Sequence, residues 1–209
     1  VYPLSKALFP EVRSWDGHVF LPGFFFLDSE DETLPEDVAR FLQSGKPPVA
    51  VTFSSMPLAR PAAFLEKLRD ALRATGNRAV FLSGNSGIEQ ESDDLICTVK
   101  AAPHRALFPH VKGIIHHGGA GTMAAALRAG KPQLIIPFSV DQPFWAKRLF
   151  RLGYSLRPLR EREVTAAALA GAFDEMDNPD VFERAQNIAA IISGENAAAD
   201  TVKFLSGLA

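Results

Sequence analysis

Cysteine is almost missing from this 209-residue chain: Cys97 stands alone, which excludes an internal disulfide and suits a reducing compartment. Its setting, LICTV, is apolar, so Cys97 reads as core filler rather than a reactive thiol. Long hydrophobic runs are missing too. The longest, VFLPGFFFL, is cut by Pro22 and Gly23 and falls short of the roughly 18 residues that suggest a membrane-spanning helix. Nor does one charge dominate: 22 Lys and Arg stand against 24 Asp and Glu, and the positive residues are scattered. That argues against a nucleic-acid surface, which needs its Lys and Arg banked together. No signal-peptide pattern, internal repeat or low-complexity tract stands out, and the chain opens on Val1 without a Met. An excised domain or fragment, cytoplasmic by default, is the expectation.

What is present is enough apolar material for a core, 47% of residues against 22% charged. Residues 1–18 mix Pro, charge and isolated aromatics without a period and read as an irregular lead-in or linker. From residue 19 onward, strands and helices alternate. VFLPGFFF, PPVAVTFSS, RAVFLSG, LICTVK, GIIHH, PQLIIPF and YSLRPL read as strands; GFFF alternatively reads as a membrane-touching patch. Between and after them, PEDVARFLQSG, RPAAFLEKLRDALRATG, a short segment at 104–108, TMAAALRAG, QPFWAKRLFRLG, TAAALAGAFDEM and two C-terminal segments read as helices. The alternation predicts an α/β fold: one Rossmann-like, mostly parallel sheet with helices on both faces, spanning 19–209.

In such sheets ligands bind beyond the carboxyl ends of the strands. Five strand ends should therefore converge on one rim: 54–55, 83–84, 101–104, 116–122 and 138–142. The most informative is His116-His117-Gly118-Gly119-Ala120-Gly121-Thr122, a strand end, a glycine turn and a helix start. A helix start leaves backbone N–H groups without internal partners at its positive end, and glycines let an anion approach the backbone. The spacing is neither the dinucleotide G-x-G-x-x-G nor a P-loop. A diphosphate cradle and a tight structural turn both satisfy it. Adjacent residues on a strand face opposite ways, so only one of His116 and His117 should reach a ligand. Four of five histidines fall within residues 104–117, which raises a metal site as a rival. Two rings adjacent on a strand cannot share one ion, so no metal is expected.

Residues 103–153, PHRALFPHVKGIIHHGGAGTMAAALRAGKPQLIIPFSVDQPFWAKRLFRLG, resemble the donor-binding segment of the family 1 GT-B glycosyltransferases. Within that family they are most similar to the sterol and lipid glucosyltransferases and to bacterial glycosyltransferases that decorate antibiotics and glycolipids. The likeness extends upstream through GFFFLD and FLQSGKPPVAVTFSSM. It implies the C-terminal half of a GT-B fold, with an N-terminal acceptor-binding domain absent from this chain.

The resemblance also implies roles. His117 would lie beside the donor diphosphate, with the backbone at Gly119, Ala120 and Gly121 and the hydroxyl of Thr122; Ser55 would sit near the phosphates or nucleoside. Asp141 and Gln142 would hydrogen-bond the donor sugar. Ala102 and His104 would border the nucleoside, although Ala101 and Ala125 replace the stacking Trp and ribose-binding Glu of plant relatives. Ser54 stands where FGS has glycine. The bland readings are a partly buried, backbone-satisfied His117, a helix-capping Thr122 and an N-capping Asp141. Phe144 and Trp145 read as core packing, with Phe144 alternatively lining the acceptor side. The implied activity is inverting, metal-independent transfer of a hexose from a UDP- or dTDP-sugar to a hydroxyl of a lipid, sterol or other small molecule. The general base lies in the other half, so this chain alone should bind donor without transferring it. The alternatives are a non-catalytic nucleotide-sugar-binding module acting with a partner, or half of a nucleotide-sugar epimerase, which would need acids near the sugar beyond Asp141. The full-length protein could make peripheral membrane contact.

Overall fold

The computed structural model describes residues 1–14, 19–27, 32–53, 58–85 and 92–207. Strands β1 (Val49–Thr52), β2 (Ala79–Leu82), β3 (Ile96–Val99), β4 (Gly113–His116) and β5 (Gln133–Ile135) form one sheet in the order β3-β2-β1-β4-β5. Every pairing is parallel, more uniform than the mostly parallel sheet expected. Their sequences, VAVT, AVFL, ICTV, GIIH and QLI, are largely unbroken apolar runs because both faces of a parallel sheet are covered.

Alternate residues point to opposite faces. Val49, Val51, Phe81, Ile115 and Leu134 face a cluster built with α2 (Pro61–Thr75) and α6 (Ala166–Met176). Ala50, Val80, Cys97 and Ile114 face a second cluster with α1 (Glu36–Gln43), α3 (His104–Leu107) and α4 (Ala120–Ala129). Cys97 is buried there, as expected of filler. A third cluster joins the outer side of α4 to α5 (Gln142–Leu152) and α7 (Pro179–Ser193). The last helix is α8 (Ala197–Ser206). Most helices stop where the sequence marks a stop: Gly76, Gly130 and Gly153 are left-handed C-caps.

Three expectations need correction. VFLPGFFF is not a strand: Pro22 has no N–H to donate, and Gly23 turns the chain at φ +115. The stretch instead buries Leu21 and Phe24 and exchanges two isolated backbone bonds with residues 2–4, Tyr2 N–H to the Phe20 carbonyl and Gly23 N–H to that of Leu4. YSLRPL is not a strand either, although it runs beside β5. Leu156 N–H donates to the Gln133 carbonyl at 2.9 Å, and the next donor in a ladder would be residue 158, a proline. Leu159 takes its place, donating to the Ile135 carbonyl at 3.1 Å, and the ladder is out of step. Finally, the lead-in is not irregular throughout. It forms 3-10 turns at Lys6–Leu8 and Pro10–Ser14, and Leu8 is fully buried in the third cluster.

Candidate functional site

The sheet order reverses between β1 and β4, which lie side by side with Thr52 opposite His116. Beyond their carboxyl ends lies the crevice where such folds hold ligands. β4 ends at His116, and α4 begins at Ala120, so three residues make the whole turn. Gly118 adopts φ +91, and a Cβ there would lie 2.8 Å from Ile135 Cγ2, so both the backbone and the packing demand glycine. Gly119 is the N-cap of α4; a side chain at 119 would run into the His117 imidazole. Around Gly121, by contrast, no atom of the described residues lies within 4 Å of where a Cβ would be. Ala120 and Gly121 are exposed, no acidic residue occupies the first turn, and the N-cap, Gly119, has no side chain with which to cap α4. The helix thus presents its positive end to open space. Thr122 is buried in the first turn.

The two adjacent histidines do different work. His116 is fully buried and sits in a chain of hydrogen bonds: Gly118 N–H donates to Nδ1 at 3.1 Å, and Nε2 pairs with Gln133 Oε1 at 2.8 Å. Gln133 in turn donates to the Tyr154 carbonyl at 3.0 Å. Because Nδ1 accepts, Nε2 carries the proton, and the ring is neutral; burial pushes its pKa down to about 4. His116 therefore braces the turn from a fully buried position. His117 lies with Nε2 toward Gly119, and burial lowers its pKa. The charge of Asp141 and, less, the nearby Thr52 backbone oppose that shift. In this structure burial outweighs them, so a charged imidazolium here would need a neighbouring anion to favour it.

Asp141 reaches the same rim from α5. It is exposed and close enough for its charge to act on His117, and a Cβ on Gly118 would lie 3.5 Å from the Gln142 carbonyl. The N-capping alternative for Asp141 fails: its carboxylate makes no cap bond and instead accepts from the indole Nε1–H of Trp145 at 2.9 Å. Gln142 is buried, and its Oε1 accepts from the N–H groups of Phe138 at 2.8 Å and Ser139 at 3.2 Å. Its carbonyl oxygen is thus committed to the loop, and the amide nitrogen is the part left for a ligand. Between them Val140 sits at φ +56, an unusual conformation for a β-branched residue.

His104 opens α3, half-buried and stacked on Phe108 at 4.5 Å, and the neighbouring His117 contributes to the lowering of its pKa after burial. It belongs to the rim. Ala102 packs into the second core cluster, so its side chain takes no part at the surface. Trp145 is core, as expected, and Phe144 is exposed. Ser54 and Ser55 lie outside the described residues. Among the described residues no three His, Cys, Asp or Glu side chains gather as metal ligands would. No helix among them is long and apolar enough to cross a membrane. Sequence reading missed the Trp145 bond, although the i, i+4 spacing was visible, and the Gln142 clamp; nothing in the sequence marks the turn at Val140.

The profile of the family described as "Erythromycin biosynthesis protein CIII-like, C-terminal domain" matches residues 85–208, more than half of the chain. The chain belongs to this family. It is 32% identical over 205 residues to the sterol 3-beta-glucosyltransferase UGT80A2 of Arabidopsis thaliana, covering 97% of this chain and 32% of the plant protein. It thus spans about a third of that relative's length. Among solved structures it superposes on the calicheamicin glycosyltransferase CalG4 with a TM-score of 0.80 at 18% identity, over 98% of this chain and 52% of that one. The glycosyltransferase VinC, solved in complex with dTDP, gives a TM-score of 0.63 at 24% identity, over 84% and 44%. These two likenesses concern the fold, which is that of the GT-B glycosyltransferases, and this chain spans about half of each of those chains.

Proposed function

We propose that this chain binds the nucleotide-sugar donor of an inverting glycosyltransferase, with the donor's diphosphate at the start of α4 and its hexose against Asp141 and the amide nitrogen of Gln142. The observation that carries this reading is the meeting, on one rim, of a helix start whose N-cap is a glycine, His117 and Asp141. Family membership supports it, and the dTDP bound to VinC belongs to the donor class proposed here. In the reaction an acceptor hydroxyl attacks the anomeric carbon, the bond to the diphosphate oxygen breaks, and negative charge grows on the leaving group. Backbone N–H groups at the first turn of α4 and a protonated His117 would stabilise that charge. The base that takes the acceptor proton, and the acceptor itself, a lipid, a sterol or another small molecule, belong to an N-terminal domain beyond this chain. His104 would border the nucleoside, UDP or dTDP, and Ser55 the phosphates.

Calorimetric titration with UDP, dTDP and their glucose conjugates tests the reading. His117→Ala should weaken bare diphosphate and conjugate alike, by roughly ten- to a hundredfold for a charge-assisted hydrogen bond. Asp141→Ala should weaken the conjugates selectively. Unchanged affinities in His117→Ala would sink the diphosphate assignment, and equal losses for both ligand types in Asp141→Ala would sink the sugar assignment.

A further inference from the structure

Asp141 is an exposed residue at the head of a helix, and a carboxylate so placed ordinarily turns back to cap the first amides. Here it turns the other way. Its Oδ2 lies 2.9 Å from Trp145 Nε1, one helical turn along α5, while Trp145 is 7% exposed. The indole is itself wedged. Phe9 meets its ring edge-on with centroids 6.1 Å apart, Phe144 does so at 5.0 Å, and Met123 and Ala124 of α4 share its cluster. Phe9 is held in turn by Arg148, whose guanidinium lies 4.8 Å from the Phe9 centroid and whose Nε donates to the Leu8 carbonyl at 2.6 Å. The loop on the other side of Asp141 is fixed as well, by the two N–H groups that Gln142 Oε1 receives and by Val140 in its left-handed turn.

From this geometry we infer that Trp145 is the positioning residue for the donor sugar: its indole N–H holds Asp141 Oδ2 and leaves Oδ1 to accept from a hexose hydroxyl. The inference rests on the sugar assignment of Asp141 made above. It explains why a large buried aromatic with a polar edge stands four residues after the acid, since a buried indole N–H needs an acceptor. It also gives the N-terminal segment a part in recognition, because Phe9 backs the ring that orients the acid. An indole N–H given to a carboxylate is a charge-assisted bond, so losing it should matter by about tenfold in affinity.

The test uses Trp145→Phe, which keeps an aromatic ring and removes the N–H, with Asp141→Ala and the double variant, titrated with UDP, dTDP and their glucose conjugates. Expected are a roughly tenfold loss for the conjugates in Trp145→Phe, little change for the bare diphosphates, and no further loss in the double variant beyond Asp141→Ala alone. A loss of the same size for both ligand classes would mean that Trp145 merely supports the fold, and full retention of conjugate affinity would mean that Asp141 needs no orienting; either result overturns the inference. If Trp145→Phe does not fold, benzothienylalanine at 145 replaces the N–H by sulfur at constant shape and gives the same comparison. If Asp141→Ala itself shows no selective loss, the sugar assignment fails and this inference with it. A selective loss in Asp141→Ala without one at Trp145 refutes the inference alone.

Discussion

His116 shows how a residue next to a candidate site can be tied into the fold through its hydrogen bonds. Its imidazole joins the Gly118 amide to Gln133 and, through Gln133, to the Tyr154 carbonyl. With its pKa pushed down from 6.5 to about 4, it binds fewer protons in the folded than in the unfolded chain between those limits. Its contribution is therefore fully present above about pH 6.5 and drains away as pH falls toward 4, by at most about 3 kcal/mol. His117 and His104 are shifted in the same direction and add to the trend. His116→Leu should lose on the order of 2–4 kcal/mol near neutral pH, because the Gly118 N–H and Gln133 Oε1 are left stranded. The same variant should flatten the acid-side slope; urea denaturation of both proteins near neutral pH and near pH 5 measures each effect. Strand alternation alone said that the two histidines face opposite ways; the choice of His117 for the ligand came from the family resemblance. Neither could reach Gln133, because seventeen residues separate that partner from His116 and only the β4–β5 register brings them together.

At the scale of elements, the start of α4 separates the demands of folding from those of binding. Gly118 answers to the fold: its φ of +91 and the crowding by Ile135 mean that Gly118→Ala should destabilise by about 1–3 kcal/mol. Gly121 answers to no described neighbour, since among the described residues a Cβ there meets no atom within 4 Å. Gly121→Ala should therefore stabilise the helix, by about 0.5–1 kcal/mol, while weakening UDP and dTDP by filling the space a phosphate would use. Thermal melts and titrations of this single variant would move in opposite directions. If affinity survived, the diphosphate would not lie against Gly121. This contrast also marks what the sequence could tell. The strands and helices around the turn were legible because apolar runs of four residues, glycine stops and a 3.6-residue stripe each obey a local rule. The two strands read wrongly, VFLPGFFF and YSLRPL, each carry a proline whose missing N–H breaks the ladder. Their apolar residues still cover the core, which is why their composition resembled that of a strand.

Over the whole molecule, the β3-β2-β1-β4-β5 order gathers the ends of β1 and β4 and the head of α5 on one rim, although these stretches lie far apart in the chain. The sequence made that convergence predictable through the rule that parallel sheets bind at their carboxyl ends. It did not reveal that the first fourteen residues are built into the domain. Leu8 is fully buried beside Trp145, Met123 and Ile188, and Arg148 anchors the same segment through the Leu8 carbonyl and Glu11. The arginine also holds the Glu11 carboxyl below its usual range, a bond at the surface that guides the segment more than it stabilises it. The burial of Leu8 is the larger effect. Leu8→Ala should cost about 2–4 kcal/mol, measured by urea denaturation, because the cavity would open inside a cluster shared by α4, α5 and α7. A loose linker would lose less than about 0.5 kcal/mol on the same change. Since Leu8 shares that cluster with the Trp145 indole, Leu8→Ala should weaken glucose conjugates more than bare diphosphates, whereas a change that merely loosened the fold would weaken both alike.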